Sequence, residues 1–290
     1  MAAAAPRKVK RQNVLRFVAE QKKRRPTASL ALFLCLAVSA CDGAGSPAGS
    51  ASTAVAQCAA DPATLRKAAV EHVYDGDTLR LRGGERVRLV GVNTPERGRD
   101  GAADEPFAEE ARRTLQDLTR SGEVWLADAA QARDRHGRLL AYTFDAQGNS
   151  LSAQLLAQGM GFHVAIAPNT AYADCLAVAE SGARAARRGV WGEPFYAPVR
   201  MADLGPGDGG FKRVRDVVTR VSFKDNGWWV QLGGKLGVKI AEPNQAAFKR
   251  SELRRLEGRE VEVRGWLVPR DGGWWMLTLG HPEMLEMNPS

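Results

Sequence analysis

Long apolar runs are scarce in this 290-residue chain. The stretch "SLALFLCLAVSA" (29–40) is too short to cross a bilayer as a stable helix. Cysteine is scarce too: Cys35, Cys41, Cys58 and Cys175 are all there are. Net charge is missing from most of the chain despite a formal total of +8, because residues 1–41 hold nine of the 41 Lys/Arg and one of the 33 Asp/Glu, Glu20. Removing them leaves 32 residues of each sign. The remainder is neutral, which excludes a global basic field and leaves room only for a local basic patch. The composition is otherwise globular, and the length suits two domains.

The charge that is present marks the beginning. "KKRR" (22–25) precedes the short apolar stretch, and "VSAC" closes it at Cys41. A basic segment followed by a short apolar one reads as an export signal, and the ending resembles a bacterial lipobox. The resemblance implies that 1–41 is a lipoprotein signal peptide and that Cys41 carries the lipid. Asp42 resembles an inner-membrane retention signal, so the expectation is an exported bacterial lipoprotein facing the periplasm, or alternatively a secreted protein. Residues 42–57 are small and nearly uncharged and read as a flexible tether. With Cys35 and Cys41 placed in the leader, Cys58 and Cys175 remain. An even pair in an exported protein predicts one disulfide, the alternative being two free thiols.

From 58 to 198 the pattern predicts a first domain. Val73, Leu79, Leu81, Val87 and Leu89 alternate as strands do, with turn signals at Asp75-Gly76 and Gly83-Gly84. "PFAEEARRTLQDLTR" (106–120) changes to a helical period. Strands are expected at 122–128 and 138–145, then a short helix, then a long alanine-rich helix from Ala171 to Arg188. Small strands with three helices predict an OB-type barrel.

A phosphate-handling site can be read from residue types alone. Asp77 is a hard oxygen ligand suited to Ca²⁺. Arg88 and Arg138 are planar forks that match phosphate oxygens. Glu96 can hold or deprotonate an attacking water. "YDGDT" (74–78), "RLVGVNTPE" (88–96), "DRHGR" (134–138) and "RGVW" (188–191) also occur in the order and spacing of the staphylococcal nuclease (thermonuclease-like) family. The resemblance spans about residues 68–192. It implies catalytic roles for Arg88, Glu96 and Arg138, and one Ca²⁺ held by Asp77, Asn93, the Thr94 carbonyl and Asp75. It also implies endonucleolytic cleavage of single-stranded DNA and RNA, leaving 3′-phosphates.

The departures are specific. Asn93 stands where well-studied members have an aspartate; an amide oxygen coordinates Ca²⁺ but brings no charge. Arg135 and His136 replace a lysine and a tyrosine, and are candidate substrate contacts. "HVAIAPN" (163–169) lacks the tyrosines that members use beside the phosphate and the base; Val164 and Ile166 take those places, so base stacking is reduced. His163 and His136 are candidates to compensate by hydrogen bonding, the alternative being plain surface or packing residues. The alternative reading is a weak or inactive nuclease-like domain that binds nucleic acid or protein in the envelope.

A glycine-rich joint (199–210) leads to a second region, 211–290. Five strands are predicted, at 213–223, 227–233, 236–241, 259–268 and 273–279, with a helix around 244–256. That order predicts a second small OB-like barrel. Residues 205–290 carry +3 and residues 42–204 carry −3. No acid–base cluster appears in this half, which predicts no chemistry there. Alternation in Trp228-Trp229 and Trp274-Trp275 points one ring of each pair outward, where it could stack on bases or cover a protein-binding or packing face. The expected partners are a nucleic-acid substrate and a membrane reached through the lipid; no protein partner is predicted.

Overall fold

A computed structural model describes residues 47–98, 101–205, 207–242 and 244–287. The leader, with Cys41, lies outside the described residues. No helix among the described residues is long and apolar enough to cross a membrane.

The first helix, α1 (Pro47–Ala56), falls within the stretch expected to be a flexible tether. Ala54 is buried and the helix packs on α3 (Leu151–Ala157) and α4 (Ala173–Ala185). Tertiary packing overrides a composition that reads as linker. Cys58 follows directly and is bonded to Cys175 on α4, with Cα atoms 5.5 Å apart. The cross-link spans 117 residues and so restricts the unfolded chain strongly.

Five strands then close a barrel: β1 (Arg66–Val73), β2 (Thr78–Leu81), β3 (Arg86–Leu89), β5 (Glu123–Arg133) and β6 (Leu139–Phe144), in the order β1-β2-β3-β6-β5. Neighbours are antiparallel except β3 and β6, which are parallel. The alternating residues Leu79, Leu81, Val87 and Leu89 fill the interior with Val124, Leu126 and Ala141. Helix α2 (Ala108–Leu118) covers this core through Ala111 and Leu115. A two-residue strand, β4 (Val92–Asn93), pairs with β7 (Phe162–His163). This small sheet escapes sequence reading because two residues carry no period.

The second region has β8 (Gly210–Lys224), β9 (Gly227–Leu232), β10 (Leu236–Ala241), β11 (Glu260–Arg270), β12 (Trp274–Thr278) and a short β13 (Leu285–Met287) on β11. Strand β12 pairs with both β10 and β11, so β8-β9-β10-β12-β11 also forms a ring. Here again the third and fifth strands, β10 and β12, are the parallel neighbours. The helix expected at 244–256 is shorter: a 3-10 turn at Asn244–Ala247 and α5 (Arg250–Arg254). The joint is not bare linker either. Val199 bridges to Val214 and Met201 is buried.

The two rings meet over an aromatic and ionic seam. Phe162 packs edge-on to Trp191 and Tyr196 and lies 5.3 Å from Phe211 of β8. Buried Arg264 on β11 pairs with buried Glu180 on α4 at 2.7 Å.

Candidate functional site

The site begins at the Asp75–Gly76–Asp77 turn between β1 and β2. A Cβ on Gly76 would sit 2.6 Å from the Ala111 Cβ and 2.8 Å from the Thr94 Cβ. Only glycine lets this turn press against the strand end that carries Thr94. Gly161 acts likewise from the other side, since a Cβ there would stand 2.6 Å from the Asn93 carbonyl oxygen.

Asp77 is buried and strongly held. Its Oδ2 accepts from the Thr94 N–H (2.9 Å) and Thr94 Oγ1 (3.1 Å) and pairs with Arg88 Nη2 at 3.0 Å. Its Oδ1 accepts from Thr78 Oγ1 at 3.0 Å. Strand register explains Arg88: Thr78 faces Arg88 across β2 and β3. The Arg88 guanidinium also donates to the carbonyls of Leu89 and Val92 and, at 3.1 Å, to Asn93 Oδ1. One guanidinium thus ties Asp77, Asn93 and the β3–β4 corner together.

Arg138 enters from the start of β6, which runs parallel beside β3. Its Nε donates to Asp134 Oδ2 at 2.6 Å and its Nη1 reaches Thr78 Oγ1 at 3.4 Å. Burial opposes ionisation of Asp134, but hydrogen bonds from the Arg138 side chain and from the N–H groups of Arg138 and His136 hold its carboxyl below the usual range. Glu96 is exposed; its N–H donates to Glu105 Oε2 and its carbonyl accepts from the Glu105 N–H, which fixes the loop. Asp75, Arg88, Asn93, Glu96, Arg135, His136 and Arg138 all line one open cleft of about 870 Å³. Thr94 and Glu96 line a smaller cavity beside it.

Residues 86–193 match the family model described as staphylococcal nuclease homologue. They form a domain of that family. The chain is similar to endonuclease YncB of Bacillus subtilis (strain 168), 32% identical over 45% of this chain and 64% of that protein. It is similar to SPbeta prophage-derived endonuclease YokF of the same strain, 31% identical over 45% of this chain and 46% of that protein. A thermonuclease of Staphylococcus intermedius is 29% identical over 42% of this chain and 74% of its own length. The chain therefore spans less than two thirds of the two Bacillus relatives. Asp75 and Asp77 precede the matched range, yet register brings Asp77 onto Arg88 inside it.

The donor set of this nuclease-family domain fits a hard cation. Asp75, Asp77, Asn93 and the Thr94 carbonyl offer only oxygen. Burial, then repulsion from Asp77, pushes the Asp75 carboxyl up to about 7; the Asp77 N–H and Arg88 pull against this, and Glu96 adds to it. Burial, with the neighbouring carboxylates added to it, outweighs the pull of Arg88. Among the described residues no three His, Cys, Asp or Glu side chains form a metal-holding group, so any cation here relies on the neutral Asn93 and a carbonyl for its remaining protein ligands.

The raised Asp75 pKa has a measurable consequence. A carboxyl with a raised folded pKa contributes stability that is complete below pH 4 and lost as pH rises through about 7. Asp75→Asn, which keeps the acceptor for the Asp77 N–H, is expected to stabilise the metal-free protein at pH 8 by about 1–2 kcal/mol. It should make no difference at pH 4. Urea unfolding at the two pH values checks this, and an equal effect at both would refute it.

One of the candidates read from the sequence is set aside. His163 cannot contact substrate: it is fully buried, its ring nitrogens have no hydrogen-bond partner among the described residues, and burial holds its pKa down at about 3. Val164 is buried as well, whereas Ile166 is half exposed in the cleft. Sequence reading also missed contributors. Asp134 anchors Arg138, and Arg86 lines the cleft with its guanidinium 4.7 Å from the Tyr74 ring. Arg86 and Arg88 two apart on one strand was the available signal.

Proposed function

We propose that this chain is a Ca²⁺-dependent endonuclease that hydrolyses phosphodiester bonds of single-stranded DNA and RNA. The observation that carries this reading is the convergence of Arg88, Arg138 and Glu96 on one cleft that Asp75 and Asn93 also line, with buried Asp77 paired to Arg88 behind it. Arg88 and Arg138 orient and neutralise the phosphoryl oxygens. Glu96 takes a proton from the water that attacks phosphorus, and the 5′-oxygen leaves with a proton from solvent or a neighbouring acid. The phosphate stays on the 3′ side. A bound Ca²⁺ would supply further positive charge at the phosphoryl group, held by Asp75, Asp77, Asn93 and the Thr94 carbonyl.

The second ring repeats the connectivity of the first, including the helix between its third and fourth strands, which supports an OB-like barrel. The lipobox-like Cys41 supports an exported protein tethered to the inner membrane. A second reading, nucleic-acid binding with little cleavage, is favoured by one residue: Asn93 subtracts a charge from the cation's ligands.

Cleavage of labelled single-stranded DNA and RNA, with Ca²⁺ or chelator, decides between them. Metal-dependent cutting that disappears in Glu96→Gln is expected. Asn93→Asp should tighten Ca²⁺ binding in a calorimetric titration. No cutting at all, or equal cutting by Glu96→Gln, would remove the reading of this site as a nuclease, and equal cutting with chelator would remove its Ca²⁺ dependence.

A further inference from the structure

The cleft has two chemically different walls. Arg86, Arg88, Arg135 and Arg138 of the first ring line one side, and Trp266, Val268 and Met276 of the second ring line the other. Among the described residues that line it, Trp266 is the sole phenylalanine, tyrosine or tryptophan. The residue is 38% exposed, although it sits on a strand in contact with other strands on both sides. It also borders the smaller cavity beside Asn93, Thr94 and Glu96.

Trp266 is fixed relative to the site. It packs edge-on to Phe211 at 5.3 Å, and Phe211 lies 5.3 Å from Phe162. Phe162 is the strand partner of Asn93. An unbroken aromatic path therefore joins the exposed indole to the floor of the cleft. Four arginines and a lone exposed indole lining the same cleft suit a single strand, whose backbone needs cations and whose bases need a flat apolar face.

We propose that Trp266 of the second ring stacks on a base of single-stranded nucleic acid lying in this cleft, while the first ring's arginines hold the backbone. The substrate class rests on the nuclease reading above. The second ring is then part of the substrate site, and it supplies the aromatic surface that Val164 and Ile166 do not.

The test measures binding of fluorescein-labelled oligothymidylate by anisotropy, in the Glu96→Gln background so that the probe stays intact. Trp266→Ala should bind roughly 5- to 100-fold more weakly, the range for losing one stacked base. Trp266→Phe, which keeps a ring, should lie between. Trp274→Ala, exposed but outside the cleft, should bind as the parent does. In oligonucleotides scanned with single abasic sites, the parent should show a position where a missing base costs affinity, and Trp266→Ala should lose that penalty. Unchanged affinity in Trp266→Ala, or the same abasic profile in both proteins, overturns the stacking role. If the wild type still cuts in that case, the nuclease reading stands alone. If the parent binds no oligonucleotide and the wild type cuts none, both fall.

Discussion

Arg138→Ala is expected to lower the rate of phosphodiester cleavage by about 100- to 1000-fold, the usual cost of removing one preorganised donor to a developing oxyanion. Stability should fall by only about 1 kcal/mol. The asymmetry follows from the turn that carries Arg138. Without the side chain, Asp134 still accepts the N–H groups of His136 (2.8 Å) and residue 138 (2.9 Å), so the loop keeps its shape. Arg88 makes a poorer probe. Its removal would strand Asp77, which is 4% exposed, and would free the carbonyls of Leu89 and Val92. Arg138→Lys should recover part of the rate only, because an ammonium keeps the charge but not the fork. Single-turnover cleavage under saturating substrate, with a thermal melt of each variant, checks both numbers. A rate within threefold of wild type would remove Arg138 from the chemistry.

What the sequence revealed of the site was local, and what it concealed was distant. Each of Asp75, Asp77, Arg88, Asn93, Thr94, Glu96 and Arg138 sits in a short segment whose turn and strand signals place it at a strand end. Their convergence then depends on register, and the alternation of Leu79, Leu81, Val87 and Leu89 fixes that register because a one-residue slip would expose the core. The strands of the second ring were legible for the same reason. Helix α1 was not: its proline, glycine and serine read as a tether despite its alanines, and burial of Ala54 against later helices decides it. Asp134 was visible within "DRHGR", but its bond to Arg138 needed the turn geometry. Trp266 was indistinguishable from any other strand tryptophan, since the arginines that share its cleft lie more than a hundred residues earlier.

The same distance hides the second large effect. Arg264→Ala is expected to destabilise the fold by about 3–5 kcal/mol, because it breaks a buried pair by removing one partner. Arg264 and Glu180 side chains are each 5% exposed and 2.7 Å apart. Among the described residues Glu180 would keep one hydrogen bond, from the His163 N–H to its Oε1 at 2.6 Å, and the attraction of Arg184. Burial already raises the Glu180 pKa against the pull of Arg264. Without Arg264 it should rise further, and a raised carboxyl pKa contributes stability that is present at low pH and lost as pH rises. The deficit of Arg264→Ala should therefore be smaller at pH 5 than at pH 8. Adding Glu180→Gln should flatten that dependence, since the amide still accepts from His163 and carries no charge. Replacing both partners with methionine should restore only part of the loss, because apolar substitutes remove the stranded charge but leave the buried His163 N–H without its acceptor. Denaturant unfolding of the four proteins at the two pH values measures all of this. A pH-independent deficit in Arg264→Ala would mean that lost packing, not the stranded carboxylate, accounts for the cost.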